Sequence, residues 1–524
     1  MQQSMLATAR RRAAAQPGAA AFVTPAHAWT FGEIDALSNR LAQGFAHLGI
    51  GRGDRVACLT KHTAECVAVT LAAQKLGAVC MPVNWRLAPP EVEYIVGNGE
   101  AKFLMVDAEF AATARAASMP TLRLVVATDT AVDGLAALRG WAAGFEARDP
   151  GYQPSEDDTA LQLYSSGPTG LPKGVDLSHG NLQAAFGSEV PRAIAYGGAP
   201  DVMLNALPTF HIAGIGIGLM TYVWGGASVL FPDFNPPQVL QAFGAHRITH
   251  SFLVPAMIQF LVQTPGAAGH DYSSLKYISY GASPISERVL VDAMRTFRCG
   301  FIQVYGLTET TGAITALPAQ DHDPDGPRAH LLRSAGKAIG GVELRVADPA
   351  SREPVPDGQV GEVWIRSRQN MKGYWRNPKA TADVFVDRLP DGLGWFRSGD
   401  AGYLRDGYLF LHDRIKDMII SGGENIYPAE VENVLMKHPA VADGAVIGVP
   451  DEQWGEAVKA CVVLKPGAQA GAADIIAFMR ERLAHYKCPR TVDLMEAIPR
   501  NPSGKILKRV LREPYWKGLE RRVH

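Results

Sequence analysis

The sequence predicts an α/β protein: a large N-terminal domain of packed sheets and helices, then a small α+β C-terminal domain. Three observations carry that reading. Short apolar runs alternate with amphipathic helical stretches over most of the chain, the pattern of α/β layers around largely parallel sheets. From about Arg345 the texture changes to glycine-rich strands such as "GQVGEVWIRS" and "GYLFLHDRIKDMII". The last stretch, "VADGAVIGVPDEQWGEAVKACVVL" and then "AADIIAFMRERLAHYK", reads as a compact module. The join falls near His412-Asp413-Arg414, so domains are expected at 1–412 and 413–524.

The elements follow in order. The opening "MQQSMLATARRRAAAQPGAAAF" is rich in Arg and Ala and has no acid before Glu33, and it is expected to form a solvated first helix rather than an organelle presequence. In "WTFGEIDALSNRLAQGFAHLGI", Thr30 and Glu33 make a capping box ahead of apolar residues at helical spacing, and "DRVACLT" then supplies a strand. A second helix and strand lie in "TAECVAVTLAAQKLGAVCMPV", and the alternation runs on through "KFLMVD", "RLVVAT" and "RITHSFLVPAMIQFLVQ". Ile212 to Phe231 carries no charge and approaches the length of a membrane span. Its Gly225-Gly226 break followed by "ASVLF" reads instead as a buried helix turning into a core strand.

Composition bounds the function. A chain of 524 residues that is 47% hydrophobic fills two or three cores. The net charge of −1 offers no basic field for nucleic acid or an anionic membrane, so the partner is expected to be a small molecule. Six cysteines without a C-x-x-C pair suit core thiols in a reducing compartment, and a cytoplasmic location is expected.

The chemistry gathers in a few loops. "LYSSGPTGLPKG", Leu163 to Gly174, combines glycines, hydroxyls and Lys173 as a phosphate would require. It is not a Walker A loop, because Gly174 and not Ser or Thr follows the lysine. "VYGLTETTG" offers Tyr305 to stack a purine, Thr308 to bond a phosphate oxygen and Glu309 to hold Mg²⁺. Gly281-Ala282-Ser283 could carry a flat base, Asp400 a ribose diol, and Lys505 sits in a glycine-preceded loop. Singly, each also reads blandly: Tyr305 as core, Glu309 and Asp400 as salt-bridged acids, Lys505 as one of 51 basic residues.

Together and in this order, "YSSGPTGLPKG", "YGLTE", "RSGD", "DRIKDMIISGGENIYPAEVE" and "NPSGKILK" resemble the acyl-adenylate-forming enzymes. That superfamily takes in acyl-CoA synthetases, coumarate-CoA ligases and luciferases, and the resemblance runs from Thr30 to about Lys508. It implies the adenylate-forming fold, with a mobile C-terminal domain, and a two-step reaction using ATP, Mg²⁺ and CoA. By resemblance, Ser165, Ser166, Gly167, Thr169, Gly170 and Lys173 cover the phosphates. Thr308 contacts the α-phosphate and Glu309 positions the metal, while Tyr305 and Gly306, with Gly281, Ala282 and Ser283, enclose adenine. Asp400 and Arg414 hold the ribose, and Lys416 and Lys505 supply positive charge, Lys505 as the catalytic lysine. Gly422 and Gly423 clear a path for a pantetheine arm.

The acid is read from what is missing. "PTFHIAG" has His211 where amino-acid-activating relatives carry an Asp, which disfavours an amino acid and makes His211 resemble the gate of acyl- and aryl-CoA ligases. The "GIGIGLM" run at Gly214 to Met220 and the following "TTGAI" are expected to line an apolar slot. The expectation is therefore an ATP-dependent acyl-CoA synthetase acting on a hydrophobic acid, a fatty acid, as monomer or homodimer. An aryl-CoA ligase of the coumarate, ferulate or benzoate type is the alternative, and a non-catalytic acyl-nucleotide binding protein is the alternative of another class. Two positions depart from the family: Pro168 replaces a hydroxyl residue, and Ile420 stands where coumarate ligases carry a lysine.

Overall fold

The computed structural model describes residues 4–25, 27–129, 131–132, 134–165, 171–387, 393–422, 424–500 and 506–517. Among these, the strands form sheets of nine, seven, five and five members. The α/β class and the division into a larger N-terminal and a smaller C-terminal part are as the sequence predicts.

The nine-stranded sheet has a parallel centre: Ala20–Val23, Ala227–Leu230, Val202–Asn205, His250–Leu253, Tyr277–Gly281 and Gly300–Leu307 lie side by side in that order. Its central strands are almost wholly buried because helices cover the sheet. Beyond Gly300–Leu307 the chain reverses into the antiparallel strand Gly312–Leu317. Gly306 is obligatory at this reversal, since a Cβ there would stand 1.8 Å from the Gly312 carbonyl oxygen. The reversal runs through Thr311 and Gly312, at φ of 53° and 102°.

The seven-stranded sheet contributes the hairpin Thr159–Ser165 and Lys173–Ser178, with Ser165 opposite Lys173. The predicted phosphate loop thus joins two antiparallel strands. A Walker A loop joins a strand to a helix, so the topology agrees with the sequence in setting that motif aside. The third sheet is antiparallel and places Asp400, on Trp395–Arg405, opposite Arg414, on Tyr408–Arg414. The fourth sheet is built on the long hairpin Val441–Asp451 and Gly455–Leu464 and has its own apolar core around Ile419, Val431, Val446 and Ile475.

Three local expectations can be compared directly. Thr30 and Glu33 form the capping box at the start of Phe31–His47. The uncharged segment is the helix Ile212–Trp224, stopped by Gly225 at φ 81° and followed by the strand Ala227–Leu230. No helix among the described residues is long and apolar enough to cross a membrane. The first helix, Met5–Ala15, is docked rather than solvated. Met5, Leu6, Ala9 and Ala13 are buried, Arg10 pairs with Asp149 at 2.7 Å, and Arg12 donates to the Val223 carbonyl at 3.2 Å. Its arginines reach out of the contact while its small residues allow the close approach.

Candidate active site

Glu309 lies in the single 3-10 turn Thr308–Thr310 that ends the strand Gly300–Leu307. Its Oε1 accepts from the Ser165 hydroxyl at 2.9 Å and from the Tyr374 hydroxyl at 3.1 Å, and its backbone carbonyl accepts from Met371 N–H at 2.7 Å. Two segments distant in sequence, at Ser165 and at Met371 to Tyr374, therefore fix Glu309. Tyr374 belongs to the short strand Gly373–Tyr374, paired with the strand carrying Lys173, whose Nζ lies 5.0 Å from the Tyr374 ring centroid. Burial, then the charge of Glu309, pushes the Tyr374 hydroxyl well above its ordinary range, so it stays a donor.

Asp400 is the second fixed carboxylate. Its Oδ2 accepts from the Tyr305 hydroxyl at 2.6 Å, and its Oδ1 lies 2.6 Å from Arg414 Nε. The Asp400 charge raises the Arg414 pKa, with smaller contributions from Tyr305, Glu309 and Asp417. Burial and then Asp400 hold the Tyr305 phenol well above its usual value. Arg414, partly exposed, is ion-paired with Asp400, and the Tyr305 hydroxyl donates to the other oxygen of that carboxylate.

The predicted base cradle, Gly281 to Ser283, lies at the end of the strand Tyr277–Gly281. A Cβ at Gly281 would fall 2.2 Å from the Val304 carbonyl oxygen, and Ala282 is held at φ 68°, which a side chain rarely adopts. Ala282 is exposed and Ser283 half-buried, so backbone edges face outward.

His211 caps the helix Ile212–Trp224, with its N–H donating to the Pro208 carbonyl at 3.2 Å. Its Nε2 is buried and has no hydrogen-bond partner among the described residues. Burial, then the nearby Arg86 charge, lowers its pKa to about 4, so the ring is neutral at neutral pH. The glycines that follow differ in role. A Cβ at Gly214 would strike the Pro208 carbonyl oxygen at 2.1 Å, which is backbone packing, whereas one at Gly216 would strike the Phe186 ring at 2.2 Å. The expected slot is therefore narrower than the "GIGIGLM" run.

Gly422 sits at φ 62°, and a Cβ there would lie 2.5 Å from the Trp454 ring, so a side chain is excluded by that indole. Ser166, Gly167, Pro168, Thr169, Gly170, Gly423 and Lys505 lie outside the described residues, as does the Lys416 side chain. The structure thus brings together Ser165, Lys173, Tyr305, Glu309, Asp400 and Arg414, with Thr308 and Gly306 on the same reversal. Sequence reasoning missed Tyr374, whose only signal is an aromatic after glycine in "MKGYW", 65 positions from Glu309. It also missed Trp454 and Phe186.

A model of AMP-binding enzymes matches residues 9–375. The chain belongs to the AMP-binding enzyme family. A second model, the AMP-binding enzyme C-terminal domain, matches residues 430–505. The fatty acid–[acyl-carrier-protein] ligase ScoC of Streptomyces coeruleorubidus is 37% identical, over 100% of this chain and 98% of its own. The long-chain-fatty-acid–CoA ligase FadD13 of Mycobacterium tuberculosis is 37% identical over 97% of each chain. A feruloyl-CoA synthase from an Amycolatopsis species is 38% identical over 96% of this chain and 98% of its own. Among solved structures, ATP-bound MatB from Rhodopseudomonas palustris superposes with a TM-score of 0.88 at 29% identity, covering 98% of this chain and 99% of that one. The protein is an enzyme of the ligase class within this family.

Proposed function

We propose that the protein is an ATP-dependent acyl-CoA synthetase that activates a hydrophobic monocarboxylic acid, a fatty acid, through an acyl-AMP. The observation that carries this reading is the pair of fixed carboxylates, Glu309 held by the Ser165 and Tyr374 hydroxyls and Asp400 held by the Tyr305 hydroxyl and Arg414. Asp400 offers acceptor oxygens to a ribose diol. Glu309 stands one residue after Thr308, where the phosphates would lie.

In the first half-reaction a substrate carboxylate oxygen bonds to the α-phosphorus of ATP, and the bond from that phosphorus to the bridging oxygen of pyrophosphate breaks. In the second, the CoA sulfur attacks the acyl carbon, loses its proton and expels AMP. The obstacle in the first is the meeting of two anions, so the groups that count are those already oriented toward developing charge. Lys173 and the 165–170 loop serve the phosphates; Arg414 steadies Asp400 against the ribose. Lys505 supplies positive charge at the attacking carboxylate.

Glu309 also fits the Mg²⁺ that the nucleotide brings. Among the described residues no group of three His, Cys, Asp or Glu side chains could form a metal cage. Mg²⁺ needs none, because one carboxylate, the phosphates and water complete its shell. When bound, it neutralises charge on the phosphate oxygens. The neutral His211 stands at the acyl entrance, where a cation would form an ion pair with the incoming carboxylate and hold it back.

The family pattern makes 413–524 a domain that presents first Lys505 and then Gly422 and Gly423 to the same site, with the boundary at 412 and 413. The described cysteines are free and mostly buried, which suits a reducing compartment such as the cytoplasm. A panel of alkanoic, arylpropenoic and benzoic acids, assayed for CoA-dependent release of AMP from ATP, tests the reading. Turnover with alkanoic acids is expected; turnover with aryl acids alone would move the assignment to the aryl-CoA ligases, and binding of acids and ATP without AMP release would reject catalysis.

A further inference from the structure

One aromatic ring is wedged between the helix that follows His211 and the strand that follows Glu309. Phe186 is only 2% exposed. The tip of its ring, Cζ, is the nearest atom to a Cβ built at either of two glycines on different elements. At Gly216, on the helix Ile212–Trp224, the separation is 2.2 Å; at Gly312, which opens the strand Gly312–Leu317, it is 3.3 Å. Neither glycine could become alanine without moving the ring or being strained, Gly216 by contact and Gly312 by its φ of 102°.

The backbone aims the ring there deliberately. Residues Ala185–Glu189 form a π-helical turn inside the helical stretch from His179 to Ala193. A π turn inserts one residue, which swings the side chains beyond it by about 100° relative to a regular α-helix. The indole N–H of Trp224, the last residue of the glycine-bearing helix, donates to the Phe186 carbonyl at 3.1 Å and ties the turn to that helix.

The ring's position follows from sequence distance. Gly312 comes three residues after Glu309, and Gly216 five residues, about 7.5 Å of helix, after His211. The ring therefore stands one short segment away from the reacting carboxylate. Three residues further along the chain, Glu189 lines a cleft of about 550 Å³ together with Arg192, Ala316 and Ile339. Ala316 lies four residues, roughly 13 Å, along the strand that begins at Gly312. The turn that carries Phe186 thus reaches this open cleft through Glu189.

We propose that Phe186 is the end-stop of the acyl slot and confines the enzyme to compact acids, a short alkyl chain or a single ring. The inference rests on the acyl-CoA synthetase reading and names its substrate class. A long alkyl chain would have to displace a buried ring whose backbone carbonyl is held by the Trp224 indole, whereas a short one ends before reaching it.

The test compares the full-length protein with Phe186→Ala, Phe186→Leu and Phe186→Trp. For each, kcat/KM is measured by CoA-dependent AMP release across butanoate, hexanoate, octanoate, dodecanoate and hexadecanoate, with the KM for ATP and the Tm alongside. The wild type is expected to peak at the short end. Phe186→Ala should raise kcat/KM for dodecanoate by about tenfold or more, Phe186→Leu by less, and Phe186→Trp should shift the peak shorter, since each methylene fitted or rejected is worth about 10–200-fold. The KM for ATP should stay within a factor of about two, because Phe186 is remote from the nucleotide groups. Loss of Tm with equal loss on every acid would show a purely structural ring and overturn the proposal, as would a wild type that prefers hexadecanoate. Should Ala fail to fold, the Leu and Trp profiles decide by their opposite shifts. If no acid supports AMP release in the wild type, the synthetase reading fails; an active wild type with an unshifted profile sinks the end-stop alone.

Discussion

The proposed nucleotide side and the proposed acyl side of the site are built on opposite principles. Around Glu309 and Asp400 every charged group is matched: two carboxylates, three hydroxyl donors and a guanidinium hold one another at 2.6 to 3.1 Å. Around the His211 helix the imidazoles are neutral and each keeps one unmatched nitrogen. Both His211 and His62 are pressed to a pKa of about 4 by burial, and each leaves a buried Nε2 without a partner among the described residues. Around them stand Phe186, Gly216 and Gly312. The first region works by preorganised charge, the second by shape. Changes on the nucleotide side should therefore lower adenylation with every acid, and changes on the acyl side should re-rank the acids.

The largest expected effect is at Glu309. Glu309→Gln keeps the hydrogen-bonding shape and removes the charge, and the rate of adenylation should fall roughly 10²–10³-fold, the usual cost of losing one preorganised charge at a reacting centre. Equal falls with a short and a long acid would support the division; a fall confined to one acid would break it.

Asp400→Asn should come next. It leaves Arg414 without its anion, and a hydrogen bond to a charged group is worth about 1.5–3 kcal/mol, or about 10–150-fold in kcat/KM for ATP. The KM for the acid should change little, as steady-state kinetics would show.

His211→Ala should cost about tenfold in kcat/KM for the acid while leaving the KM for ATP close to that of the wild type. The pH dependence sharpens the point. With a folded pKa of about 4 against an ordinary value of 6.5, His211 stays neutral from alkaline pH down to near 4. Its proton is taken up only as the pH falls through that value. The pH profile of kcat/KM for the acid should show no limb near 6.5 that disappears in His211→Ala. Such a limb would mean that the imidazolium is the working form.

The smallest effect belongs to Tyr374→Phe. Glu309 keeps the Ser165 donor and loses one neutral hydroxyl, worth about 0.5–1.5 kcal/mol, so adenylation should slow by roughly 2–12-fold with every acid alike. A change in acid preference would place Tyr374 on the acyl side instead.

The two sides also differed in how far the sequence exposed them. Charged groups must sit at fixed backbone positions to meet a nucleotide, so Glu309, Asp400 and Arg414 are embedded in short, dense motifs. The ordering of helices and strands was equally legible from periodicity, down to Gly225 ending its helix. Tyr374 was not, because its link to Glu309 arises only when two strands from different parts of the chain pair. Phe186 was hidden by a π turn, a shift of one residue that leaves the apolar pattern unchanged. Gly214 and Gly216 look identical in the sequence; only their neighbours, a carbonyl oxygen and an aromatic ring, distinguish packing from slot. The docking of the first helix was missed because three adjacent arginines suggested solvent, when Arg10 and Arg12 reach out to Asp149 and Val223.

Acid-dependent ATP–pyrophosphate exchange tests the central claim most directly, because it reads adenylation alone, without CoA. The wild type should exchange pyrophosphate into ATP only when a hydrophobic monocarboxylate is present, and Glu309→Gln and Asp400→Asn should each depress exchange with every acid by a common factor. Exchange that persists undiminished in both variants, or that fails with every acid although ATP binds, would contradict the account.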